Sequence, residues 1–253
     1  MARSILTRSS RGVRGPKTPA PTGIALQLQR VMREMVRECM RRVLAYLDLA
    51  QRADAASFIS GQRNRRVALI IEDTISARTI ATHIATAADR TGRHARLDPR
   101  SLPGISYRHH PNVAPKLAAF RERNVALIRD LADRTRERVT KTLDDADVSG
   151  LRVEDLSKRL QEDFEFSSSR AELIARDQVL KLNAQITQSE QTAAGINRYQ
   201  WSSSRDERVR PIHDELDGTI QSWDDPPITS VNGDRNHPGE DYQCRCVAIP
   251  IID

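Results

Sequence analysis

Trp201-Ser-Ser-Ser-Arg-Asp206-Glu-Arg-Val-Arg-Pro-Ile-His213 runs on to Asp217-Gly218 and Trp223-Asp-Asp-Pro-Pro227. His237-Pro-Gly-Glu-Asp-Tyr-Gln-Cys244-Arg-Cys246 follows. Both tryptophans and two of the three cysteines of the 253-residue chain lie in this stretch. Trp, Cys, His, Gly and Pro packed so closely mark a compact, turn-rich module whose shape depends on particular side chains. Tyr199-Gln-Trp201 reads as a short strand, and Asp217-Gly218 as a hairpin-turn signal. Cys246-Val-Ala-Ile-Pro-Ile-Ile252 reads as a closing apolar strand. A small β-containing module over 196–253 is therefore expected.

Upstream the grammar is helical. From Ile24 to about Asp48, Leu28, Val31, Met32, Met35, Val36, Cys39, Met40, Val43, Leu44 and Leu47 recur at steps of three and four. Cys39 falls on that apolar stripe, which predicts a buried, inert thiol. A second helix is predicted over Asn64–Asp89, where His83 reads as a surface or core-edge histidine. Residues 91–115 hold four prolines and two glycines and read as a connector. The adjacent His109 and His110 would point in different directions, as sequence neighbours do, and the sequence offers no further ligand close by, so they are not expected to hold a metal. A long helix over about Ala114–Leu143 follows, its arginines interleaved with acids as a solvated face of local ion pairs. Val153–Phe164 and Ser167–Ala194 read as two more helices, with Ser167-Ser-Ser169 as the N-cap of the second and Gly195 as its terminator. The expected fold is mainly α: long amphipathic helices form a body capped by a small C-terminal α+β module. Four regions follow: a disordered basic tail (1–22), an N-terminal helical region with its Pro-rich connector (23–113), a second helical part (114–195) and the C-terminal module (196–253).

Composition narrows the function. Aromatics are only 4% and charged residues 29%, which suits solvated helices. No run approaches the roughly 18 apolar residues of a membrane span, and the amino terminus lacks a secretory apolar block. Three cysteines do not make a disulfide framework, so a soluble protein of a reducing compartment is expected. The net charge of +6 is largely a tail, since Arg3, Arg8, Arg11, Arg14 and Lys17 face no acid before residue 23. These five are the expected contacts to a phosphate backbone.

Several segments then align with a known pattern. Asn124-Val-Ala-Leu-Ile128 is followed by Arg170-Ala-Glu-Leu-Ile-Ala-Arg-Asp-Gln178, Gly195-Ile-Asn-Arg-Tyr-Gln-Trp201 and Asp206-Glu-Arg-Val-Arg-Pro-Ile-His213. Leu216-Asp-Gly218, Trp223-Asp-Asp-Pro-Pro227, His237-Pro-Gly and Cys244-Arg-Cys246 complete the series. In this order and spacing the set resembles the Mu F-like minor head proteins, within the wider tailed-phage head-morphogenesis family. The resemblance covers about Phe120 to Ile252, and the helices before residue 115 carry no matching motif. It implies a non-catalytic role in procapsid assembly, with the portal protein and the major capsid or scaffold protein as partners. Phage DNA is a further expected contact; a membrane and a small-molecule substrate are not expected. The implied location is the virion head interior, or the host cytoplasm during assembly of a phage or prophage.

Three chemistries compete at the C-terminal module. Many members of the family carry Cys-x-x-Cys where this chain has Arg210-Pro-Ile-His213, which suggests a zinc knuckle. His213, His237, Cys244 and Cys246 would supply its four ligands. Without metal, the same histidines would hydrogen-bond turn backbones and the cysteines would be small core residues. A metal-dependent nuclease would draw on Asp206, His213, Asp214, Asp217 and His237, although turns and ion pairs account for the same acids. A plain nucleic-acid-binding module would rely on the tail. The reading adopted is a cofactor-free docking module, with zinc as the alternative. Arg176, Asp177, Trp201, Asp206, Arg208, His213, Gly218, His237, Cys244, Arg245 and Cys246 would set its shape, and Arg176 and Asp177 would clamp their helix to it.

Overall fold

The computed structural model describes residues 8–9, 12–52, 60–98, 101–102, 111–149 and 153–252. Its helices are α1 (Thr22–Arg52), α2 (Ser60–Thr74), α3 (Ala81–His94), α4 (Ala114–Ser149), α5 (Val153–Ala193) and the short α6 (Pro211–Glu215). Its strands are β1 (Arg8–Ser9), β2 (Gly12–Arg14), β3 (Arg198–Ser202), β4 (Ile220–Ser222) and β5 (Val247–Ile252). The fold is mainly helical with a small antiparallel sheet. The chain divides into two compact units, one of residues 26–86 with 121–175, the other of residues 1–25, 87–120 and 176–253.

The first unit is a helical bundle. Leu28, Met32, Val36, Cys39 and Val43 of α1 are buried, as are Val67 and Ile71 of α2, Ile128, Leu131, Val139 and Leu143 of α4, and Leu160 and Phe164 of α5. The three-and-four spacing of these residues is what puts each set on one helix face. Burial pushes the Cys39 thiol up to about 12, so it stays protonated and unreactive. The predicted single helix over 64–89 is broken at a corner. The Ser76 hydroxyl accepts the Thr79 N–H at 3.3 Å and lies 2.8 Å from the Thr79 hydroxyl, offering the backbone an alternative to the next helical turn. The flanking Ile75 and Ile80 are both buried, so the corner returns the apolar face to the core.

Two other helix boundaries differ from expectation. The acids after Leu143 do not end α4, which runs on to Ser149. The predicted break before Ser167 is absent, and α5 is continuous over 41 residues. Ser167 caps nothing. Its hydroxyl bonds back to the Asp163 carbonyl at 3.0 Å and meets the Thr135 hydroxyl at 2.9 Å, both buried. A serine satisfied in this way is compatible with a helix interior. The expected local ion pairs are present on α4, with Arg134–Asp130 at i,i+4 and Arg136–Asp133 at i,i+3. Arg42–Asp73, Arg136–Glu72, Arg63–Asp147 and Arg33–Glu172 join different helices as well.

The second unit carries the sheet, in the order β1-β2-β5-β3-β4 with every pair antiparallel. β5 is central, with Val13 opposite Ile252 on one side and Ser202 opposite Val247 on the other. The disordered tail expected over 1–22 is therefore corrected where residues are described. Gly12–Arg14 is a strand, and α1 begins at Thr22. Pairing with the apolar β5 supplies the ordering energy that the segment's own composition lacks. Of the tail cations, Arg14 and Lys17 are exposed; Arg3 and Arg11 lie outside the described residues, and of Arg8 only the strand position is described. His109 and His110 also lie outside the described residues.

The same sheet explains how Pro250 is tolerated in a central strand. Its carbonyl accepts the Gly15 N–H at 2.9 Å, so its missing N–H lies on the same side, where the short β2 has already ended. Gly15 is needed there, because a Cβ at that position would come within 2.7 Å of the Pro250 ring and 2.8 Å of Leu102. Gly195, at φ +77°, ends α5, and the Ile196 N–H reaches back to the Gln191 carbonyl at 2.9 Å, a Schellman-type stop. The predicted Asp217-Gly218 hairpin takes a different form. Gly218 (φ +83°) leads into β4 and donates its N–H to the Trp201 carbonyl at 2.8 Å, but α6 lies between the paired strands β3 and β4.

Candidate functional site

The site is the buried layer over one face of β3 and β5. Tyr199, Trp201, Trp223, Cys244, Cys246 and Ala248 form one core cluster, with Leu216 against it. The alternation of β3 sends Tyr199 and Trp201 to the same face. Tyr199 and Trp223 have ring centroids 4.3 Å apart. Gln191 of α5 ties this layer down: its side chain accepts the Trp223 indole N–H at 3.2 Å and donates to the Ala248 carbonyl at 3.1 Å. Nothing in the sequence singled out Gln191, which looks like any polar residue near a helix end.

His213 is delivered by α6. Arg210 precedes that turn in an extended conformation and Pro211 begins it, matching the fixed φ of proline to the first helical position. His213 is 2% exposed, and its ring meets Trp201 edge-on at 5.4 Å. Its Nδ1 lies 3.5 Å from Cys244 Sγ and 3.7 Å from Cys246 Sγ. On the other side of the ring, Nε2 lies 3.3 Å from Asp241 Oδ2, without the alignment of a hydrogen bond. The nearest ligand atoms of His213, Cys244 and Cys246 all fall within 4.8 Å of one another. One sulfur of the pair ionises well below the usual thiol range and the other well above it. A Cys244 thiolate accepts the Cys246 hydrogen and then opposes a second negative charge, and His213 is held more basic beside it.

His237 does not join them. Its Nδ1 lies 2.9 Å from the Tyr199 hydroxyl and its ring packs against Trp223. His237-Pro-Gly-Glu240 is a tight turn, with Gly239 at φ +88° and the Glu240 N–H returning to the His237 carbonyl at 3.1 Å, where Pro and Gly suit the central positions. The four-ligand set read from the sequence is thus split three to one. Burial lowers the His237 pKa, with Glu240 opposing, so the ring beside the Tyr199 hydroxyl is held in its neutral form. The native protein resists protonating His237 where the unfolded chain takes up a proton, near pH 6.5. Its contribution to stability is full above that pH and falls as pH drops below it. Urea midpoints at about pH 7.5 and about pH 5.5 should therefore differ less in His237→Gln than in the parent. An equal pH response in both proteins would contradict the assignment.

The acids proposed for a nuclease are dispersed among separate partners. Asp206 receives both terminal nitrogens of Arg245, at 2.5 and 2.7 Å, and the Arg208 N–H at 3.1 Å. The Arg245 pairing holds its carboxyl below the usual range. Asp217 accepts the Ser203 N–H at 2.8 Å and the Arg205 Nε at 2.9 Å. Asp214 is exposed. Arg210 binds the Tyr242 carbonyl at 2.7 Å and lies 3.6 Å from Asp241. Among the described residues, the three-ligand group is His213 with the two cysteines.

Arg176 and Asp177 converge on Gln243. Asp177 Oδ1 accepts the Gln243 N–H at 2.8 Å, and Arg176 Nε donates to the Gln243 side-chain oxygen. Gln243 sits at φ +57°, a left-handed conformation in the turn just before Cys244. The pair therefore fixes the backbone that presents the first cysteine. Arg208 and Arg245 come near enough to Arg176 for their charges, after its burial, to lower its pKa. Asp241, Gln243 and Tyr199 are site residues that the sequence motifs did not single out.

With this geometry in place, comparison with known proteins is specific. Residues 137–249 match the family described as Phage Mu protein F like protein. Over that segment the chain is similar to this family. The segment runs from the middle of α4 to β5 and includes every residue of the buried layer just described. A Haemophilus influenzae (strain ATCC 51907 / DSM 11121 / KW20 / Rd) protein, described only as an uncharacterized protein, is 39% identical over 146 residues. The alignment covers 58% of this chain and 32% of that relative, so the chain spans about a third of the relative's length. No solved structure matches.

Proposed function

We propose that the chain is a minor head protein of a tailed phage or prophage, acting in procapsid assembly. It binds the portal or the inner shell and catalyses nothing. The coincidence of the Mu F-like match with the buried layer supports this reading, because the residues quoted for the resemblance are spent on shape. Trp201 fills the core, Gly218 and Gly239 make turns, Asp206 is paired with Arg245, and Arg176 and Asp177 brace Gln243. An open groove of about 890 Å³ over the sheet, lined by Arg14, Arg198, Gln200, Gln221, Ile220 and Ile251 among others, offers a docking surface of mixed polarity for another head protein. The protein then resides in the head interior, and in the host cytoplasm during assembly.

A nonsense mutation in the gene tests this in the phage that encodes it. Normal heads should fall sharply, and the wild-type protein should be present in purified heads and coprecipitate with the portal protein. Normal head yield, with the protein absent from purified heads, removes the reading.

Contact with packaged DNA is a second element, supported by the exposed Arg14 and Lys17. Because Gly12–Arg14 belongs to the sheet, the charges should be neutralised without deleting the strand. Changing Arg3, Arg8, Arg11, Arg14 and Lys17 to Gln should weaken DNA retention and flatten its salt dependence. Unchanged retention at moderate salt places the contact elsewhere.

A further inference from the structure

We propose that His213, Cys244 and Cys246 form a structural zinc site of three protein ligands, and that His237 has no part in it. Two thiolates and an imidazole are the donor set that favours Zn²⁺ over the harder divalent cations. His213 Nδ1 lies 3.5 and 3.7 Å from the two sulfurs, close to the roughly 3.5 Å that a tetrahedral ion bound at about 2.0–2.3 Å would set between two ligands. All three side chains are at least 95% buried: His213 is 2% exposed, Cys244 3% and Cys246 5%.

The orientation of the imidazole is the second argument. Nδ1 faces both sulfurs, while Nε2 has no aligned hydrogen-bond partner and lies 3.3 Å from Asp241 Oδ2. A histidine that gives one nitrogen to a metal commonly offers its other N–H to a carboxylate, which fixes the tautomer. Asp241 is placed for that role, and Arg210 at 3.6 Å holds the carboxylate in turn. His237 is spoken for by Tyr199.

The surroundings decide between a structural and a catalytic metal. His213, Cys244 and Cys246 are only 2%, 3% and 5% exposed, so a substrate has no open approach to an ion held among them, and a water would complete the tetrahedron. The metal would join α6 to the turn that precedes β5, holding the two segments without any chemistry of its own. The site goes beyond the head-assembly reading and does not depend on it.

The test uses the full chain, free of any histidine tag, purified from cells grown with added zinc. Elemental analysis should give about one Zn per chain, and Zn K-edge absorption should fit two sulfurs and two lighter donors. Replacing Zn²⁺ by Co²⁺ should produce thiolate-to-metal charge-transfer bands and the intense visible bands of a tetrahedral ion. Cys244→Ser, Cys246→Ser and His213→Gln should lose those bands. Asp241→Asn should keep them with metal affinity lowered about 10–100-fold. His237→Gln and Cys39→Ser, each verified as helical by circular dichroism, should bind metal as the parent does.

Less than about 0.2 Zn per folded parent chain, with no cobalt–thiolate band, overturns the site. The trio is then a thiolate–imidazolium pair in a metal-free core. Loss of metal in folded His237→Gln also overturns it, by restoring the four-ligand set read from the sequence.

Discussion

Trp201→Ala should destabilise the sheet unit by about 3–5 kcal/mol, the usual cost of removing a fully buried large aromatic. Trp201 is completely inaccessible to solvent, and it touches both halves of the site. Its ring meets His213 edge-on, and its cluster includes Cys244, Cys246 and Ala248. Truncation removes the apolar contact and leaves a void bounded by strands and a one-turn helix, which are poorly able to collapse into it. With the substitution made, Trp223 is the remaining indole, so its fluorescence reports on this unit alone. At a urea dependence of about 1–3 kcal/mol per molar, the midpoint should fall by more than about 1 M. Trp201→Phe should lose well under half as much. A midpoint unchanged by the alanine substitution would mean that the ring is not the centre of the core.

Asp177→Ala should cost about 2–4 kcal/mol, by a different mechanism. Asp177 is 5% exposed, and its two oxygens do separate jobs. One accepts the Gln243 N–H at 2.8 Å, while the other accepts from Gln178 at 3.2 Å and pairs with Lys181 at 3.0 Å. Alanine leaves the Gln243 N–H without its acceptor and Lys181 without its counter-charge. It also frees a backbone held at φ +57°, a conformation that costs energy unless its neighbours enforce it. Asp177→Asn keeps an acceptor for the N–H and should recover about half of the loss. Equal losses for Asn and Ala, followed by the same fluorescence, would assign the effect to charge and not to the clamp.

Both predictions concern residues that the sequence had already singled out, Trp201 by its type and Asp177, inside α5, only through the resemblance segment Arg170–Gln178. A buried Trp or a positive-φ Gly is a residue type whose chemistry restricts where it can stand, so identity alone carries information. Helix existence was legible in the same way, because the three-and-four spacing of Leu28, Met32, Met35 and Val36 has one structural meaning. Helix ends were less so. Ser167 offered a hydroxyl that suits a cap or a helix interior equally, and only its meeting with Thr135 on another helix decided which. Ser76, which does turn the chain, carried no stronger local signal.

The site was half legible for a related reason. His213, His237, Cys244 and Cys246 were recognisable as candidates, but which three converge depends on Tyr199 capturing His237. Asp241 and Gln191 matter through what they touch across the fold, and their identities are unremarkable. The largest miss was β2. Gly12-Val-Arg14 is too short and too polar to declare itself a strand, and it becomes one only because β5 presents an open edge to it.

That pairing has a consequence for how the protein is made. β2 leaves the ribosome about 240 residues before its partner β5. Until then β2 has no template, and β3 and β4 have only each other. Helices can form from local contacts as they emerge, whereas the sheet must wait for a loop closure across nearly the whole described chain, the slowest kind of contact to make. Synthesis that stalls before Val247 would therefore release a chain with a folded helical bundle and an unsealed strand edge, the form most prone to pair with a copy of itself.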